Sequence, residues 1–233
     1  MKPKLLIFTG AGVSAESGIA TFRDNGGLWD NFNVKDVATP MGWKLDRKKV
    51  LDFYNIRRKE LKNVEPNLAH KIIAELEKDF EVKVVTQNVD NLHERAGSTN
   101  VIHLHGELTK ARSTQNQYLV YDWQNDINIG DKCDLGSQLR PHIVWFGEML
   151  DVYDINQAKL AAKECDICIV VGTSMQVSPA NEIPFLTKED TLIFYIDKGE
   201  ADFYVPEYRK HLFKHIKEVA TIGMEEVKKY LYK

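Results

Sequence analysis

The chain has 233 residues, 43% of them hydrophobic and 28% charged, with a net charge of −3. Such a chain can bury a full core, and its slightly acidic balance argues against a general attraction to nucleic acid or anionic membrane. No run approaches the roughly 20 apolar residues of a membrane helix and three cysteines build no disulfide framework, so a cytoplasmic location is expected.

Taken in order, residues 5–8 form an apolar strand of the kind buried on both faces of a parallel sheet. Gly10-Ala11-Gly12 and the small and hydroxyl residues after it predict a sharp turn into a short helix. Glycine accepts φ > 0 there, its bare backbone lets a pyrophosphate approach, and the first helical N–H groups would point at that ligand. Residues 28–42 read as an irregular, aromatic binding loop. A helix is predicted over about 46–64, with Val50, Tyr54, Leu61 and Val64 as its apolar stripe and Arg57 in the middle of it. An arginine on an apolar face needs an anionic partner or a route to water. One reading is a structural ion pair or a stem reaching solvent; the other is a pocket for a negatively charged group, lined by Tyr54 and Arg57.

Pro66-Asn67 opens a second helix with Leu68, Ile72, Ile73 and Leu76 as its buried stripe. A strand over 82–86 carries Gln87-Asn88-Val89-Asp90-Asn91 at its C-terminal end, where open α/β sheets collect ligand-binding residues. A strand over 101–104 leads to His105-Gly106, and the polar, weakly periodic residues 107–141 read as a small inserted module. Residues 142–146 are apolar and extended; a helix follows over about 155–163, then strands at 167–171 and 192–196, ending in Gly172-Thr173-Ser174 and Asp197, and a closing helix at 224–231. The alternation predicts an α/β fold, a Rossmann-like doubly wound parallel sheet with a smaller inserted domain. The expected division is 1–27, 66–106 and 146–233 for the dinucleotide domain, and 28–65 and 107–145 for the small one.

The glycine turn nearly fits the dinucleotide fingerprint, but the acid about 20 residues on should end a second strand. Asp30 has the distance and lies in a loop, which excludes an ordinary dehydrogenase. His103 and His105 share a strand; either a satisfied core histidine or a general base fits His105. Cys165 and Cys168 read as buried core thiols.

Five motifs occur in this order: Gly10-Ala11-Gly12-Val13-Ser14 running on through Ser17-Gly18-Ile19 to Phe22-Arg23, Thr86-Gln87-Asn88-Val89-Asp90-x-Leu92-His93, His105-Gly106, Arg140-Pro141-x-Ile143-Val144-Trp145-Phe146-Gly147-Glu148, and Gly172-Thr173-Ser174. Together they closely resemble the sirtuins, the NAD-dependent protein-lysine deacylases. The resemblance implies NAD as a consumed co-substrate and acyl-lysine proteins or peptides as partners. It implies attack of the acyl oxygen on the nicotinamide ribose, departure of nicotinamide, and release of free lysine and 2′-O-acyl-ADP-ribose. His105 would be the base acting on a ribose hydroxyl, with Asn88, Asp90 and Gln87 positioning ribose and nicotinamide. Gly10, Ala11, Gly12, Ser14, Phe22 and Arg23 would line the cofactor, as would Asp197 and Ala220, with Gly172, Thr173 and Ser174 on the adenosine side. Val144, Phe146 and Gly147 would pair with the substrate backbone.

The resemblance also extends to the branch that removes succinyl and malonyl groups, which has Tyr and Arg at the spacing of Tyr54 and Arg57. Three departures stand out. The family's two Cys-x-x-Cys zinc pairs fall on Ser113 and Asn116 and on Lys132 and Leu135, so no zinc is expected; packing through Tyr118, Tyr121 and Trp123 would hold that module instead. Ala20 stands where proline is usual and Asp197 where asparagine is. NAD hydrolysis, ADP-ribosyl transfer and a non-enzymatic NAD or acyl-lysine binding module are the rival readings.

Overall fold

The computed structural model describes residues 2–21 and 32–233. Strand β1 (Lys4–Thr9) is buried from Leu5 onward because parallel neighbours flank it, β2 (Glu81–Thr86) on one side and β7 (Ile167–Val171) on the other. Beyond them lie β3 (Val101–His103) at one edge, then β8 (Leu192–Ile196) and β9 (Phe213–Ile216) at the other. The six-stranded order is β3-β2-β1-β7-β8-β9, parallel throughout. The chain therefore starts in the middle and builds outward both ways, and a crevice is expected where the order reverses, beyond the C-terminal ends of β1 and β7.

Alternation along β1 sends Leu5 and Ile7 to one face and Leu6 and Phe8 to the other. The first face is covered by α5 (Leu68–Leu76) and α8 (Ala220–Leu231), with Ile72, Ile73, Leu76, Met224 and Val227 packed inward. The second is covered by α7 (Val152–Glu164) and the 3-10 turn Ala180–Leu186. Cys165 and Cys168 are buried there, as expected of core thiols.

A third core lies in the smaller module. Its sheet is antiparallel, in the order β5-β4-β6, from β4 (Gly106–Ser113), β5 (Val120–Asp122) and β6 (Leu139–Ile143). Three helices pack with it: α2 (Val34–Val37), α3 (Pro40–Leu45) and α4 (Arg47–Lys62). Each begins on a side-chain cap: Asn33 Oδ1 accepts from Lys35 N–H, Thr39 Oγ1 from Gly42 N–H, and Asp46 Oδ1 from Lys49 N–H.

Several expectations need correction. The 32–42 part of the aromatic loop holds α2 and the start of α3, and Asn33 and the Thr39-Pro40 pair were its readable signals. Leu68 opens α5 half out in solvent, and the inward stripe begins at Ala69 instead. The edge strand β9 is Phe-Lys-His-Ile, half-buried at every position, which carries little apolar pattern. Strand β6 ends at Ile143, and Phe146-Gly147 is a turn. Both α7 and α8 begin earlier than their apolar stripes suggest.

Candidate active site

The crevice is closed from below by two turns in backbone contact. A Cβ on Gly12 would lie 2.7 Å from Gly172 Cα, and one on Gly10 would lie 2.6 Å from Thr173 Cβ. The glycines thus serve close packing of the β1 turn on the β7 turn. The row of free N–H groups expected of the helix start is largely engaged. Gly12 N–H donates to Gly172 O, Val13 N–H to Gly10 O and Ser14 N–H to Ala11 O, which leaves the N–H of Ala11 out of these bonds. Helix α1 (Gly12–Ala15) is a single turn.

Beneath these turns lies a buried polar network. Ser14 Oγ donates to Asp90 Oδ2 at 2.9 Å and accepts from Asn88 Nδ2 at 3.0 Å. His70 Nε2 lies 3.4 Å from the same hydroxyl. One step deeper, Thr9 Oγ1 donates to Thr86 Oγ1 at 2.7 Å, and His93 Nε2 lies 3.1 Å from Thr9 Oγ1. The Ser14 and Thr9 protons are already committed to Asp90 and Thr86, so His70 and His93 meet these hydroxyls as Nε2–H donors. Burial pushes the His70 pKa down to about 4 and that of His93 well below the ordinary value. Asp90 is fully enclosed; burial raises its pKa, against the Leu92 N–H and the Ser14 hydroxyl, which favour the carboxylate. Asn88 and Asp90 are thereby held at the end of β2, as the sequence suggested. Thr86 and His93 stand in the second motif without a role of their own, and His70 and Thr9 carry no expectation; a histidine inside the buried stripe of α5 was the available signal.

His103 and His105 differ in what their rings face. His105 Nδ1 lies 2.9 Å from Gln87 O. A carbonyl only accepts, so Nδ1 carries the proton and Nε2 keeps its lone pair. Burial lowers the pKa of His105, more than the Gln87 carbonyl raises it. His103 instead meets two acceptors, Asn88 O at 3.0 Å and Glu94 Oε1 at 2.7 Å. Burial opposes its charge, but the Glu94 carboxylate outweighs burial and raises its pKa. His105 presents a lone pair at the crevice, and His103 is tied beneath it between two acceptors. Gly106 follows with φ +80°, and a Cβ there would collide with His142 O.

Across the crevice, α4 brings up Tyr54 and Arg57 one turn apart. Tyr54 is 3% exposed and its hydroxyl accepts from Trp145 Nε1 at 3.0 Å. Burial raises its pKa, so the phenol stays protonated. Arg57 is half-buried, with its guanidinium 5.8 Å from the Phe53 ring centroid. Burial lowers its pKa, opposed chiefly by Tyr54, then by Glu60 and Asp90. The arginine that α4 buries completely is the neighbour, Arg58, at 2% exposure. Its Nε donates to Leu108 O and its Nη1 to Asn55 Oδ1, while the Asn55 amide pairs with the backbone of Ile127. The buried surface of α4 is wider than one stripe, and Arg58 fastens the helix to β4.

The remaining candidates sit around the rim. Thr173 Oγ1 donates to Gln87 Oε1 at 2.9 Å, joining the ends of β7 and β2. Ser174 is half-buried, Asp197 accepts from Gly199 N–H, and Ala220 is buried at the start of α8. Val144 N–H donates to His105 O, Phe146 N–H to Ala38 O and Trp145 N–H to Glu148 Oε2. These bonds leave the Val144 and Phe146 carbonyls and Gly147 unengaged, and the stretch is not a free edge strand. Phe22 and Arg23 lie outside the described residues. At Ser113, one of the four positions expected to replace zinc cysteines, Oγ lies 2.9 Å from Ser137 Oγ, and Cys133 Sγ lies 3.2 Å and 3.0 Å from these two. Among the described residues no group of three or more His, Cys, Asp or Glu is placed to hold a metal ion. Tyr121 and Trp123 pack against the module's core, but Tyr118 is 76% exposed and holds nothing.

A doubly wound sheet that gathers a glycine turn, a carboxamide, a carboxylate and a neutral imidazole at its strand ends is the framework of a dinucleotide-using enzyme. A model of the Sir2 family matches residues 10–179. A "NAD-dependent protein deacylase" of Helicobacter pylori (strain J99) is 50% identical over 203 residues, covering 87% of this chain and 86% of the relative. One from Bacteroides thetaiotaomicron is 46% identical over 233 residues, covering 97% of each chain. A solved Sir2 homolog–NAD complex superposes with a TM-score of 0.86 at 38% identity, covering 99% of this chain and 90% of that one. The chain belongs to the Sir2 family, the sirtuins, and takes NAD as co-substrate. The residues fit that molecule: buried Ser17 Oγ and Asn91 Oδ1 have no partner among the described residues, and His105 Nε2 is uncommitted.

Proposed function

We propose that this sirtuin deacylates protein lysines and prefers acyl chains ending in a carboxylate, succinyl and malonyl, while also accepting acetyl. NAD-dependent protein deacylation is what its membership of the family implies; the acyl preference rests on Tyr54 and Arg57. The single observation that carries it is a protonated, enclosed phenol and a half-buried guanidinium one helical turn apart. A carboxylate between them would take a charge-assisted hydrogen bond from each.

NAD supplies an electrophilic ribose carbon and a leaving nicotinamide. In this reading the N–H of Ala11 faces the pyrophosphate, and Gln87, Asn88 and Asp90 hold the ribose and carboxamide in attacking geometry. His105 Nε2 accepts the proton of a ribose hydroxyl. With the acyl oxygen bound to the ribose carbon in place of nicotinamide and one water consumed, the products are nicotinamide, 2′-O-acyl-ADP-ribose and free lysine. Residues 1–27, 66–106 and 146–233 would form the NAD-binding part, and 28–65 and 107–145 the part that carries the acyl pocket. Incubation with NAD and acetyl-, malonyl- or succinyl-lysine peptides, resolved by mass, tests the reaction. Acyl-ADP-ribose formed only with peptide is the expected result; ADP-ribose formed without peptide would make the protein an NAD hydrolase.

A further inference from the structure

Around the Trp145–Tyr54 hydrogen bond, the side chains of the motif from Arg140 to Glu148 form a closed brace. Arg140 lies over the Trp145 ring, its guanidinium carbon 3.2 Å from the centroid. Glu148 holds that guanidinium from two sides, with Nη1–Oε1 at 2.6 Å and Nη2–Oε2 at 3.1 Å. The same carboxylate takes the Trp145 backbone N–H at 2.9 Å and Arg112 Nη2 at 2.8 Å. Arg140 Nη2 also donates to Ile143 O at 2.9 Å, so the clamp is anchored to β6. The indole is 2% exposed and can adopt few other orientations.

An indole N–H only donates, whereas a phenol hydroxyl both donates and accepts. Trp145 Nε1 lies 3.0 Å from the Tyr54 oxygen, so that oxygen is the acceptor and its own proton is directed elsewhere. We propose that Trp145, clamped by Arg140 and Glu148, is a specificity-positioning residue that fixes the Tyr54 hydroxyl as a donor toward a carboxylate on the acyl chain. The inference rests on the acyl-pocket reading of Tyr54 and Arg57. Trp145 touches neither the acyl chain nor NAD in this account; it acts through Tyr54.

The test is steady-state kinetics of the full chain at saturating NAD with succinyl- and acetyl-lysine peptides. The variants are Trp145→Phe, Tyr54→Phe, the double variant and Arg140→Lys. Losing one neutral hydrogen bond that orients the phenol predicts a rise in KM for succinyl-lysine of roughly 3- to 10-fold in Trp145→Phe. Its kcat holds, and the acetyl-lysine KM changes by less than about twofold. The double variant should match Tyr54→Phe, because the indole has no other route to the substrate. Arg140→Lys keeps the charge but loses the planar stack, and should shift succinyl KM the same way; it decides the matter if Trp145→Phe does not fold. Equal losses on both peptides, or effects of Trp145→Phe and Tyr54→Phe that simply add, would overturn the brace alone. A wild-type enzyme without preference for succinyl, unchanged by Tyr54→Phe, would overturn the pocket reading and the brace with it.

Discussion

Two histidines two residues apart differ in basicity because their nitrogens face different partners. His103 lies between a carbonyl and a carboxylate, which raises its pKa; His105 faces one carbonyl and keeps a lone pair. Because the His105 pKa is lowered, the fraction in the basic form falls only when the pH drops below the ordinary histidine value of about 6.5. The acid limb of kcat/KM should therefore lie below about pH 6.5. His105→Ala should lower turnover by roughly 10²- to 10⁴-fold with an unchanged melting temperature. An acid limb above neutrality, or a His105→Ala enzyme of near-normal rate, would remove His105 from the chemistry.

At the scale of elements, the decisive contact is between the turn after β1 and the turn after β7. Gly12→Ala would set a Cβ 2.7 Å from the Gly172 Cα, backbone against backbone with no flexible end to yield. A cost of about 1–3 kcal/mol is expected, visible as a melting temperature several degrees lower; an unchanged Tm would mean the turns can separate. The role of these glycines was only half legible. The motif Gly10-Ala11-Gly12 announced a tight strand-to-helix turn, but its partner lies 160 residues away in the chain, and sequence spacing does not show packing across a sheet. The same limit applied to α4. Its period put the buried Tyr54 and the half-buried Arg57 on one stripe, yet the helix buries two adjoining sides, so Arg58 and Asn55 were missed. Continuous apolar runs made the central strands easy to read. The edge strand β9 and the hydrogen-bonded 107–141 module carry little apolar pattern and were the hard part.

Across the whole molecule, buried neutral histidines couple stability to acid. Burial pushes the pKa of His70 and His142 down to about 4, and that of His93 well below the ordinary value. The unfolded chain takes up these protons near pH 6.5, so it gains on the native state as the pH falls from about 6.5 toward 4. His103 works the other way, its contribution present at low pH and lost as the pH rises through its raised pKa. Four lowered histidines, His105 among them, against one raised predict a melting temperature that falls between about pH 7.5 and about pH 5; a Tm that rises over that interval would contradict the buried, neutral assignment. In the proposed reading the six-stranded sheet carries the NAD crevice, and α4 of the smaller module would read the acyl chain. The measurement that tests this account most directly is the ratio of kcat/KM for succinyl-lysine over acetyl-lysine peptides in wild type and in Arg57→Met, with acyl-ADP-ribose followed by mass. The account predicts a ratio well above one in wild type and below one in the variant. A ratio that is the same in both would contradict it.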